Sequence, residues 1–303
     1  MKIAWLVLAH TDPHQVLRLV NRLSSEPDWK VFIHVDKRTN IDDFSEVLDQ
    51  PGVFQTKDRF DVYWGGWSMV KAMNALITET DDSYERYMFL SGLDYPLVSN
   101  VEINDFFQMH SADEFIKTVK LSGNKNKYFS NRVTYPWMFD RINMIKKVFN
   151  HIFMKLPFPL RGSYFHYKNR KYVIYGGSNF IAFTNEMYKH FVNQLEDGTF
   201  GNLLGRRLKN CFAPDEIYFN TLAKYAPFEH KFTVRGLFNK PGLVNVRNLH
   251  FFRYDGKYIK TWNESTSDLI EIKKAKLDGD LFIRKVRTGI SDELIEMLDS
   301  NKF

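Results

Sequence analysis

Two carboxylates stand together in Ala213-Pro214-Asp215-Glu216-Ile217-Tyr218-Phe219, behind a proline suited to the first position of a helix. Acids in a first helical turn stabilise the helix dipole by about 0.3–1 kcal/mol each, so the pattern fits an ordinary helix start at Pro214. The same field keeps a glutamate ionised, which a general base requires before it accepts a proton from a hydroxyl. Glu216 is the candidate base, and the structural and chemical readings share one physics. His34 and Asp36 close the apolar run of Ile33-His34-Val35-Asp36-Lys37, where they either receive a base and ribose or end a strand in solvent. In Tyr63-Trp64-Gly65-Gly66-Trp67-Ser68, glycines admit close backbone approach to a ligand ahead of a helix whose first N–H groups are donors. The alternative there is two tryptophans packed on a glycine turn. Leu90-Ser91-Gly92-Leu93-Asp94 offers one carboxylate, thin support for a hard cation that takes several oxygens. Asp278-Gly279-Asp280, near Lys285, reads as a turn with a solvated face.

Other chemistries lack their signatures. No GxGxxG follows a strand, and neither GxxxxGK[ST] nor HExxH occurs. No pair among the nine histidines has metal-ligand spacing. Acidic residues are numerous enough for a paired-carboxylate hydrolase, but sequence cannot pair them in space. The single cysteine, Cys211, excludes an internal disulfide and a cysteine metal cluster.

The positioning elements alternate. Ile3–Leu8 predicts a buried strand and Pro13–Leu23 a helix with Val16, Leu17, Leu19, Val20 and Leu23 on its apolar face. Lys30–Val35 predicts a second strand, Ser68–Thr78 a helix capped by Ser68, and Tyr87–Leu90 a third strand. This order implies an α/β fold with a mostly parallel sheet flanked by helices, and ligands gather at the carboxyl ends of such strands. Order returns at Tyr172–Tyr175 and Phe180–Phe183, and the absence of repeats and low-complexity linkers reads as one domain over 1–303.

Between Lys117 and Lys171 the only acid is Asp140, amid many lysines and arginines. The stretch 121–172 is thus a basic, aromatic insertion in a chain of net charge +6, and it favours an anionic partner. Trp137, Met138, Phe139, Ile142, Ile145, Val148, Phe149, Ile152 and Phe153 make part of it amphipathic. It is either a core helix with a basic edge or a helix lying on an anionic membrane. No stretch approaches the roughly 20 apolar residues of a membrane span, and the opening run is too short for a signal peptide. The expectation is a cytoplasmic protein, peripheral on the inner face of the membrane if the amphipathic reading holds.

Seven segments, taken in order, resemble the core-2/I-branching enzyme and peptide O-xylosyltransferase family, as a bacterial-type member. They are Leu6–His10 (LVLAH), Phe32–Lys37 (FIHVDK), Val62–Ala72 (VYWGGWSMVKA), Leu90–Leu97 (LSGLDYPL), Gly177–Phe183 (GSNFIAF), Pro214–Thr221 (PDEIYFNT) and Leu281–Val286 (LFIRKV). The resemblance implies a GT-A-type, Rossmann-like fold and an inverting, metal-independent transfer of a sugar, N-acetylglucosamine or xylose, from a UDP-sugar. No cofactor beyond that donor is implied. Glu216 would be the base and Lys285 a cation on the diphosphate. His34 and Asp36 would meet the uridine, while Ser91, Gly92 and Asp94 line the donor floor. Trp64, Gly65 and Ser68 join the expected donor-binding set.

The family places an arginine in an LRYIDW-like segment. Here that position is His250 of Leu249-His250-Phe251-Phe252-Arg253-Tyr254, leaving Arg253 or Arg247 to supply the charge. The acceptor would be a glycan hydroxyl, for instance on a lipid-linked saccharide used in surface polysaccharide synthesis. Two rival classes are a non-catalytic glycan- or membrane-surface-binding protein and a nucleic-acid binder using the basic segment. The second is not expected.

Overall fold

Apolar residues at every position of the first run require a strand covered on both faces. In the computed structural model, which describes residues 1–122, 127–141, 144–155, 158–233 and 248–300, that run is the central strand β1 (Ile3–Ala9). The first half continues with α1 (Pro13–Ser24), β2 (Trp29–Val35), α2 (Ser45–Leu48), β3 (Val53–Gln55) and α3 (Trp67–Glu79). It is completed by β4 (Arg86–Ser91), β5 (Asp94–Pro96) and α4 (Asn100–Met109). The middle holds β6 (Thr118–Lys120), α5 (Lys127–Thr134), α6 (Met144–Lys155), β7 (Tyr164–Tyr167), β8 (Arg170–Val173) and β9 (Tyr175–Gly177). Then come β10 (Ala182–Thr184), α7 (Asn185–Leu195), α8 (Phe200–Leu208), a 3₁₀ turn at Pro214–Glu216 and α9 (Tyr218–Lys224). The last described part contains β11 (His250–Phe251), β12 (Tyr254–Asp255), β13 (Tyr258–Ile259), α10 (Thr266–Leu277), β14 (Phe282–Arg284) and α11 (Asp292–Asp299).

The main sheet runs β10-β4-β1-β2-β3; β1 to β4 pair in parallel and β10 is antiparallel. Side chains of β1 alternate between two cores. Ile3, Trp5 and Val7 pack with α1, α10 and α11, whereas Ala4 and Leu6 pack with α3, α7, α8 and α9. This is the α/β arrangement expected above, mostly parallel and covered by helices on both faces. A second sheet, β11-β14-β5, sets the carboxyl-terminal segment against the loop after β4. Its register places Arg284 opposite Asp94.

Three local expectations are corrected. Helix α3 is capped at Gly66 rather than Ser68, which lies inside the first turn. Its N–H groups meet Asp140 from the basic segment, which accepts from Ser68 N at 3.1 Å and from Ser68 Oγ at 2.5 Å. At Pro214 only a 3₁₀ turn forms, entered through a left-handed Ala213 (φ 49°), and the α-helix begins at Tyr218. Asp278-Gly279-Asp280 is the turn ending α10, but Asp280 is buried rather than solvated.

The lone acid of the basic stretch therefore serves as a cap supplied from 72 residues away. Replacing a cap acceptor by alanine costs about 0.5–2 kcal/mol. Asp140→Ala should lower the unfolding free energy by about that amount in urea titration. An unchanged midpoint would deny Asp140 this role.

Candidate active site

The carboxyl ends of β1 and β4 open into a cleft of about 490 Å³. Glu216 and Asp215 from the 3₁₀ turn line it, as do Ser91, Arg284, Lys285 and His10. Trp64 stands on its rim, 74% exposed, edge-on to Phe139 and Phe212. Phe252 and the β12–β13 hairpin, with Tyr254, Lys257 and Tyr258, line it as well.

The turn that aims Glu216 is built by close approach. Ala213 N–H donates to Gly65 O at 3.0 Å, and Gly65 has φ +76° with the Phe212 ring 2.8 Å from where a Cβ would lie. Only glycine meets both demands. Gly177 is required on the other side, since a Cβ there would overlap Asn220 and the Lys117 carbonyl.

Glu216 is paired with Arg132 of α5, whose side chain is 4% exposed against 16% for the glutamate. Burial raises the Glu216 pKa and the guanidinium opposes the rise, through charge and a hydrogen bond. Its ionisation thus depends on a cation from the basic segment, not on the helix terminus inferred from sequence. Asp215 makes no ion pair among the described residues, although the Arg132 charge also opposes the rise of its pKa. It accepts from Asn179 Nδ2 at 2.9 Å, and burial together with the Glu216 charge pushes its pKa up to about 7. Burial thus pushes both carboxyls upward, and Glu216 is the member paired directly with the guanidinium.

Cations gather at the other group of lining residues. Arg284 donates to Ser91 Oγ and, at 2.8 Å, to Asp94 Oδ1. Asp94 is fully buried and also accepts from Ser91 N–H at 2.7 Å. Burial pushes its pKa up, but Arg284, His250 and Ser91 outweigh this and hold it below the usual range. Lys285 has a lowered pKa, first from burial and then from Arg284 and Arg287. Burial also lowers His10, with Arg284, Lys285 and Arg287 acting in the same sense against Asp36. A neutral imidazole beside crowded cations is a pocket suited to an anion.

Of the residues singled out from sequence, Glu216, Lys285, Ser91 and Trp64 line this cleft. Asp94 lies beneath it as the anchor of Arg284. The others are placed elsewhere. His34 is buried, accepts from Phe60 N–H at 3.0 Å and has its pKa lowered to about 4 by burial. Asp36 is buried against Arg38 and the Val62 N–H. Both hold the 57–63 loop in place rather than opening on the cleft. Ser68 lines a neighbouring cleft with Asp140. Gly65 belongs to the supporting turn, and Gly92 fits under Val16 and Ala9. Arg253 pairs with Glu271 of α10 and is not among the lining residues. His250 is fully buried, its Nε2 3.4 Å from Asp94, so it faces the anchor and not the cleft. Arg247 lies outside the described residues. The cation that sequence reasoning missed is Arg284; its signal was adjacency to Lys285, but the decisive pairing with Asp94 is a matter of strand register.

Asp215 carries a pH signature. A carboxyl whose pKa is higher folded than unfolded binds more protons in the folded state, so its stabilisation is lost as pH rises through about 4 to 7. Asp215→Asn keeps an acceptor for Asn179 and removes the titration. The stability of this variant relative to wild type should improve by an amount on the order of 2 kcal/mol between about pH 4.5 and pH 8. A difference flat with pH in chemical denaturation would contradict the assignment.

The sequence matches the family description Core-2/I-Branching enzyme over residues 3–265. Among curated relatives, a xylosyltransferase of Ciona intestinalis is 20% identical over 315 residues, 99% of this chain and 34% of the relative. Xylosyltransferase 1 of Rattus norvegicus is 28% identical over 127 residues, 39% of this chain and 15% of the relative. The chain thus spans about a third or less of these relatives' own length. Among solved structures, mouse xyloside xylosyltransferase 1 in its apo form aligns with TM-score 0.37 at 11% identity, covering 78% of this chain and 86% of that one. The bifunctional glycosyltransferase WbbM aligns with TM-score 0.36 at 12% identity, over 95% of this chain and 46% of that one. On the strength of the match across residues 3–265, the chain belongs to the Core-2/I-branching enzyme family.

Proposed function

We propose that this protein is an inverting, metal-independent glycosyltransferase that moves a sugar, N-acetylglucosamine or xylose, from a UDP-sugar to a glycan hydroxyl. The observation that carries the reading is one cleft lined by an arginine-paired glutamate and by Arg284 and Lys285. The acceptor oxygen attacks the anomeric carbon from the face opposite the leaving UDP, its proton passes to Glu216, and the departing electron pair stays on the diphosphate. Fixed cations stabilise that charge where it develops. Arg284 offers a fork and Lys285 a point charge. Metal independence is supported by the occupation of Asp94. Its carboxylate is held by Arg284 and Ser91, so side-chain cations stand where a cation-binding acid would be needed. Exposed aromatic surface at Trp64 and Tyr258 fits the apolar faces of sugar rings. Cytoplasmic placement and a single domain over 1–303 belong to the same reading.

Removing the base should separate chemistry from binding. Glu216→Gln should lower transfer by about 10²–10⁴-fold, with UDP affinity nearly intact by calorimetry. Near-normal turnover would remove Glu216 from the role. Lys285→Ala should instead weaken UDP binding by about ten- to a hundredfold, the worth of a charge-assisted contact. Unchanged UDP affinity would argue against Lys285. Both are read with UDP-N-acetylglucosamine and UDP-xylose in EDTA, following UDP release.

A further inference from the structure

Helix α6 presents its apolar side outward. Met144, Ile145, Val148, Phe149 and Ile152 recur at the spacing of one helical face and are between 44% and 75% exposed. Phe158 and Leu160, just beyond the helix, extend the exposed apolar surface. The opposite side is fastened to the protein: Asn150 is buried and accepts from Met138 N–H at 3.0 Å. This arrangement overturns the core-helix alternative, because the large side chains that a core would cover face solvent.

The charge around the patch is mostly positive. Lys147 and Lys155 are exposed on α6 itself. Lys37, Arg59, Lys71, Arg141 and Lys146 line an open cleft of about 520 Å³ at the start of the helix. Two acids share that cleft, and both are engaged, Asp61 by Arg141 and Asp140 by Ser68. An apolar helical face that carries exposed Lys147 and Lys155 and begins at a mostly basic cleft matches neither water nor a neutral apolar partner. It matches a surface with negative headgroups above an apolar layer.

We infer that α6 is a peripheral membrane-docking element that lays its apolar face into a bilayer rich in anionic phospholipid. Among the described residues no helix is long and apolar enough to cross a membrane, so the contact is interfacial. Docking would also orient the cleft. Met138, hydrogen-bonded to α6, neighbours Trp137 and Phe139, and Phe139 packs on Trp64 at the cleft rim. The mouth would then face acceptors carried on lipid, a consequence that rests on the transfer reading, whereas docking itself does not.

Flotation of the full chain with phosphatidylcholine vesicles, with and without about 30% phosphatidylglycerol, reads docking without any turnover. Binding should be at least about tenfold stronger on the anionic vesicles and should fall as salt rises from about 0.1 to about 0.5 M. Ile145→Glu with Phe149→Glu should reduce it at least about tenfold while UDP release without acceptor is unchanged, since neither residue lines the catalytic cleft. Lys147→Glu with Lys155→Glu should weaken binding by about fivefold per charge removed and leaves the apolar face intact should the first pair misfold. Equal partition onto both vesicles, or none onto either, would overturn the inference. So would dimerisation in sedimentation that Ile145→Glu abolishes, because a second copy would then be the occupant.

Discussion

A charge withdrawn from water must be met by another charge or surrender its proton, and this constraint organises the whole cleft. Arg132, reaching Glu216 across 84 residues of sequence, favours its charged form against the burial that raises its pKa. Asp215, next to it, accepts from Asn179 instead, and burial with the Glu216 charge pushes its pKa up to about 7. Removing one partner of such a buried pair typically costs about 3–5 kcal/mol, since the other is left uncompensated. The basic segment is therefore part of the cleft's construction and not an appendage to it. Its α5 supplies the guanidinium, and Asp140 caps α3 immediately behind the glycine turn.

The same rule operates among the cations. Arg284 is fixed because the antiparallel pairing of β14 with β5 sets it opposite Asp94. The small sheet containing these strands thus carries a cation to the end of the main parallel sheet, where open α/β folds receive ligands. Ser91 links both, ending β4 and accepting from Arg284.

Much of the scaffold was legible in sequence. Strands β1 and β2 and helix α1 fall within a residue or two of expectation, because apolar runs and helical spacing leave little choice. Glu216, Lys285, Ser91 and Trp64, which the family resemblance implied for one site, line one opening. What escaped was decided by contacts distant in sequence. Asp140 as a cap, Arg132 as the partner of Glu216 and Asp94 as the anchor of Arg284 depend on pairings that no local pattern encodes. His34 and Asp36 look like ligand-facing polar residues at a strand end, yet their hydrogen bonds are spent on the following loop. Likewise α6 is visibly amphipathic, but periodicity states only that one face is apolar, not whether protein covers it.

The lowered proton affinity of Lys285 carries a thermodynamic corollary. With no anion present, burial and two neighbouring guanidinium groups oppose its ionisation. An arriving anion reverses that balance, so ligand and proton bind with positive linkage. Association at alkaline pH then draws hydrogen ions from the medium, and the measured heat varies with the ionisation enthalpy of the buffer that supplies them.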